Sequence, residues 1–234
     1  MIQKRWGASM SIEKNTVSAE GQVRKNNYIG VFEGGGNVKV LFLGNSITRH
    51  EPKPEIGWDR DWGMAASKRE NDYVHVTVKL LEEKLGKVDY CIANCGEWEL
   101  HYYDDERLSA WSTAREFGAD IVVVRLGENI WAANTHFAET PIAPCYAKMV
   151  EYFCSNPKAK VVTTTLFWPK AEIDEAICSV AEEKGYTLVR LGDLGVLNEN
   201  MAIGEFAHEG VALHPNDLGM RRIAERIAAA ICEE

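Results

Sequence analysis

Five runs of apolar residues, at 38–43, 88–93, 120–126, 159–167 and 186–191, are bounded by turn-forming residues, and three are rich in valine or isoleucine. They predict buried parallel strands, because a strand covered on both faces reads as a near-continuous apolar run. Helical periodicity fills the intervals at 73–85, 105–117, 142–153, 171–184 and 216–231. Gly86, Gly118 and Gly185 each follow one of these patterns, at the position where a helix commonly ends in a left-handed residue. Strict alternation of strand and helix implies right-handed crossovers. The predicted fold is therefore α/β, a three-layer α/β/α sandwich around a flavodoxin-like parallel five-stranded sheet.

Two segments break the alternation. Residues 1–37 are polar and end in Glu33-Gly-Gly-Gly-Asn37, which suggests an N-terminal extension with a short hairpin around 22–32, ahead of one domain over 38–234. Residues 49–71 form a long connection carrying His50, Trp58 and Trp62. Connections longer than about 15 residues in a compact domain are usually functional or disordered, and the tryptophans argue against disorder.

At 234 residues and 46% hydrophobic, the chain can bury a substantial core as a single domain. No stretch approaches the roughly 18 apolar residues of a spanning helix, and residues 1–20 lack the apolar centre of a signal peptide, so the expectation is a cytoplasmic protein with no membrane partner. The six cysteines, Cys91, Cys95, Cys145, Cys154, Cys178 and Cys232, show no paired metal-ligand spacing and read as reduced core residues. A net charge of −9 argues against a nucleic-acid partner, which needs a concentrated basic surface.

Three strand ends carry the candidate chemistry. Val38-Lys-Val-Leu-Phe-Leu-Gly-Asn-Ser46 presents a serine where the first strand stops, and ligands of open α/β sheets bind beyond the carboxyl ends of the strands. Serine hydroxyls are poor nucleophiles without a base within hydrogen-bond reach. Among six histidines, His214 stands out, in the turn Leu213-His-Pro-Asn-Asp217 ahead of the last helix. Asn129, after the strand ending Arg125-Leu-Gly-Glu-Asn129, offers a side-chain amide for a developing oxyanion. Each residue also has a local reading, as cap, turn former or packing residue.

Together these residues resemble the SGNH hydrolases, the GDSL-like esterases and lipases, over Val38 to the C-terminus. Gly44-Asn-Ser-Ile47 resembles the family's Gly-Asp-Ser block, with Asn45 for aspartate, which implies Ser46 as nucleophile and its N–H as an oxyanion donor. Gly127-Glu-Asn129 resembles the Gly-x-Asn-Asp block, with Ile130 for its aspartate, and implies Asn129 as a further donor. His214-Pro-Asn216 resembles the closing block and implies His214 as base. Asn94-Cys-Gly-Glu-Trp-Glu99 supplies Gly96 for the glycine block, closer to the asparagine than usual, so the amide of Trp98 or Glu99 is an alternative donor. The family's acid lies three residues before the histidine, where this chain has Val211. Either Glu209 orients the imidazole or a backbone carbonyl does.

The implied function is a serine esterase cleaving short acyl esters, acetyl in particular, on a small-molecule carbohydrate. Trp58, Trp62, Trp98 and Trp168 fall near the same edge and suit stacking on sugar rings or plain packing. No cofactor is implied. The spacing His208-Glu-Gly-Val-Ala-Leu-His214 is not that of a helical zinc site, and the triple glycine at Gly34 lacks the lysine and hydroxyl of a phosphate loop. A non-catalytic sugar-binding domain, a thioesterase and a lysophospholipase are the alternatives. A homo-oligomer through residues 1–37 is a further expectation.

Overall fold

The computed structural model describes residues 28–130, 136 and 139–233. Among the described residues six strands form one sheet: β1 (Tyr28–Phe32), β2 (Val38–Gly44), β3 (Val88–Asn94), β4 (Ile121–Arg125), β5 (Lys160–Thr164) and β6 (Thr187–Val189), in the order β1-β3-β2-β4-β5-β6. β2 to β6 are all parallel and take the flavodoxin-like order. The sheet is one strand wider than expected. β1 lies antiparallel against β3, with Tyr28 opposite Asn94 and Phe32 opposite Tyr90, so this part of the extension joins the main sheet. Residues 22–27 of the expected hairpin lie outside the described residues.

Side chains alternate across the sheet and seed two cores. Leu41, Leu43, Cys91, Ala93, Val122 and Val124 face one way and pack under α4 (Ile142–Phe153) and α5 (Ala171–Lys184), whose Tyr146, Met149, Phe153 and Ile177 are buried there. Val40, Phe42, Ile92, Val123 and Val162 face the other way, against α1 (Tyr73–Leu85) and α7 (Asp217–Cys232). Burying a leucine or phenylalanine of this kind contributes about 1.5–3 kcal/mol, so the two layers dominate stability. The predicted helix over 105–117 divides into a tight turn at Asp105–Trp111 and the short α3 (Ser112–Glu116). Trp111 anchors the break by donating its Nε1–H to the Asn94 carbonyl at 2.8 Å.

Two short helices, α2 (Gly96–Leu100) and α6 (Glu209–Ala212), were not expected, and both flank the carboxyl edge of the sheet. The connection 49–71 builds a small core of its own. Trp58, Ile56, Met64 and Ala65 pack on Ala202 and on Val211 of α6, so the connection braces the segment that leads to His214.

Candidate functional site

β3, β2 and β4 are neighbours, so the turns that follow them meet at one edge, where the strand order reverses. The turn after β2 is tight because the Asn45 carbonyl accepts from the amides of both Thr48 and Arg49 at 3.0 Å, which leaves Ser46 part-exposed while its neighbours are buried. His214 arrives from the far end of the chain. Its carbonyl accepts from Ala202 N–H at 3.0 Å, and Asn216 caps α7 by accepting from Leu218 and Gly219, so both sides of the histidine are pinned.

The two side chains meet. Ser46 Oγ lies 2.8 Å from His214 Nε2, and His214 Nδ1 lies 2.6 Å from the Gly210 carbonyl. A carbonyl only accepts, so Nδ1 carries the proton and Nε2 presents its lone pair to the serine hydroxyl. Burial is the main reason the imidazole pKa falls from 6.5 to about 3, with nearby His50, Arg125 and His208 adding to the effect and the Gly210 bond opposing it. Burial therefore favours the neutral imidazole.

Beneath the serine lies a buried polar network. Asn45, 1% exposed, donates through Nδ2 to Glu99 Oε1 at 3.0 Å and Glu128 Oε2 at 2.8 Å. Its Oδ1 accepts from the Arg125 guanidinium, which also pairs with Glu128. Glu99 accepts in turn from Gly127 N–H and, through Oε2, from Asn129 Nδ2 at 2.5 Å. Arg125 and Glu99 are fully buried. With two carboxylates against one guanidinium, burial and the Glu128 charge raise the Glu99 pKa to about 7. Removing one partner of a buried ion pair typically costs about 3–5 kcal/mol, so this network also holds the strand ends together.

No family model and no curated protein matches the chain. Solved structures do. An acetyl xylan esterase, AlAXEase, aligns over 83% of this chain and 100% of its own, with a TM-score of 0.53 and 19% identity. A Parabacteroides merdae protein described as a GDSL-like lipase gives 0.56 and 18% identity over 83% and 95% of the two chains. A carbohydrate esterase of family 3 from Talaromyces cellulolyticus gives 0.54 and 18% over 83% and 96%. The chain has the SGNH-hydrolase fold.

Within that fold the expected residues are placed unequally. Ser46 and His214 meet, and Asn129 is tied to the serine turn through Glu99 and Asn45. Glu209 does not join them: it is exposed on the first turn of α6, and the Gly210 carbonyl occupies the Nδ1 position an acid would take. The Gly96 amide is already donated to Asn94 Oδ1 at 2.9 Å, while the amides of Trp98 and Glu99 turn back to the Cys95 carbonyl. Trp58 and Trp98 are core residues, 0% and 1% exposed, and offer no face to a ligand. Trp62 is half-buried and donates to the Ala66 carbonyl at 2.9 Å. Of the four tryptophans only Trp168 borders the dyad, with its ring edge-on to His214 at 5.1 Å.

The sequence reading missed Arg125, Glu128 and the Glu99 side chain. One signal was present: Ile121-Val-Val-Val-Arg125 places a charge at the end of an apolar strand, and such a charge requires a buried partner. Among the described residues no group of histidine, cysteine and carboxylate side chains could hold a metal ion, and no helix is long and apolar enough to cross a membrane.

Proposed function

We propose that this protein is a carboxylic ester hydrolase that removes short acyl groups, acetyl above all, from carbohydrate, with Ser46 as nucleophile and His214 as base. The observation that carries the reading is the 2.8 Å contact between Ser46 Oγ and a His214 Nε2 left unprotonated by its neighbour's bond to Gly210. His214 takes the hydroxyl proton as Oγ attacks the ester carbonyl, then returns it to the departing sugar oxygen. Water, activated by the same imidazole, attacks the acyl-serine and releases the carboxylic acid. The steps use only water and the chain's own groups.

The tetrahedral oxyanion would be held by the Ser46 N–H and the free N–H of the Asn129 amide, each donor worth roughly 10²- to 10³-fold in rate. Among the first-turn amides of α2, Gly96, Trp98 and Glu99 are committed elsewhere, which leaves Glu97 N–H as the candidate third donor. Without a carboxylate on Nδ1, the imidazolium formed during attack is stabilised by the Gly210 carbonyl dipole alone.

The carbohydrate part rests on the acetyl xylan esterase and the carbohydrate esterases that share the fold, and on Trp168 bordering the dyad. Its test is the comparison of acetyl and octanoyl p-nitrophenyl esters, with acetate release from acetylated xylo-oligosaccharides alongside. Faster turnover of the acetyl ester and measurable acetate release are expected; faster turnover of the octanoyl ester would overturn the short-acyl assignment.

A further inference from the structure

Glu99 stands where three turns meet, and no part of the reaction just described uses it. Its carboxylate accepts from Asn45, the residue before the nucleophile, from Gly127 N–H on the turn after β4, and from the Asn129 amide. All three are donors, so the geometry needs an acceptor on both carboxylate oxygens. We propose that Glu99 is a positioning residue: its ionised carboxylate grips one N–H of Asn129, so that the second N–H is held toward the oxyanion, and protonation of Glu99 releases that grip.

The same geometry accounts for Asn45, where the family block has aspartate. Asn45 bridges Glu99 and Glu128 with its two N–H groups while its oxygen faces Arg125. An aspartate there would set a third carboxylate against two others with one guanidinium to offset them.

The groups facing Glu99 decide what protonates it. Glu128 faces it from the turn after β4, with Arg125 linked to it through Asn45, Lys170 from the segment ahead of α5, Tyr146 from α4 and Cys95 from the turn ahead of α2. Burial pushes the Cys95 thiol and the Tyr146 hydroxyl well up, so neither ionises near neutrality. Burial lowers Lys170, and its amino group is held by the Glu128 carbonyl. Burial and the Glu128 charge raise Glu99 to about 7, which brings its carboxyl into the neutral range. Once protonated, its hydroxyl donates, and Asn129 meets it by turning its oxygen inward, which carries the amide N–H groups away from the oxyanion. His214, already neutral down to about 3, contributes no fall in activity near neutral pH.

The inference rests on the esterase reading, and its test separates the two. In the wild-type protein, the side-chain amide signals of Asn129, assigned by their loss in Asn129→Ala, are followed by ¹⁵N NMR between about pH 5 and 9 and should titrate with a midpoint near 7. Glu99→Gln should abolish that titration, lower kcat about 10²-fold with little change in KM, and remove the fall in activity below neutral pH. Amide signals that do not move with pH in the wild type would overturn the proposal, as would a Glu99→Gln enzyme with unchanged kcat and an unchanged acid limb. If the wild type hydrolyses no ester, the esterase reading falls, and the amide titration still decides the role of Glu99. That measurement needs no variant of Glu99, so a Glu99→Gln protein that fails to fold leaves it intact.

Discussion

The hydrogen bond from His214 Nδ1 to the Gly210 carbonyl fixes a tautomer without a carboxylate and occupies the position from which Glu209 would orient the imidazole. Glu209→Gln should leave kcat/KM for an acetyl ester within about two-fold of wild type, whereas loss of a true triad acid costs roughly 10⁴-fold. Steady-state kinetics at one pH check this, and a loss beyond about tenfold would return the acid to the mechanism. At this scale the sequence was legible for Ser46, Asn129 and His214, because each closes a recognisable strand or opens a helix. It was illegible for the partner of Nδ1, because a backbone carbonyl has no residue-type signature. It was misleading for Trp58 and Trp98, since a large amphipathic ring suits a core as well as a sugar platform.

Among elements, the turn after β4 combines a conformational and a packing constraint at one residue. Gly127 has φ +135°, and a methyl group there would lie 2.8 Å from Leu166 Cδ2 and 2.9 Å from Ile173 Cγ2, inside a filled core. Gly127→Ala combines an unfavourable backbone conformation with overpacking and should cost about 2–4 kcal/mol, seen as a lowered urea midpoint. A shift under about 0.5 kcal/mol would mean that the turn relaxes freely. Helices α1, α4 and α5 run as their periodicity predicts, because each has a full apolar stripe, and α1 and α5 end at a glycine. The segment 105–117 does not, since Trp111 is drawn inward to the Asn94 carbonyl and tightens the winding before it. α6, at four residues, is too short to show any period at all.

For the whole molecule, the arrangement that matters is long-range: 168 residues separate Ser46 from His214, and the sheet order brings their turns together. Alternating patterns conveyed the layers and the parallel strands, because burial on both faces leaves a continuous apolar run. They did not convey β1, a half-buried edge strand whose partner β3 lies more than fifty residues away. Nor could they place Glu99, whose role exists only once three turns converge. The most direct test of the dyad is mass spectrometry of the protein treated with a fluorophosphonate. The account predicts one adduct, on the peptide containing Ser46, absent in Ser46→Ala and slowed by orders of magnitude in His214→Ala. An adduct on another residue, or ester hydrolysis that persists in Ser46→Ala, would contradict it.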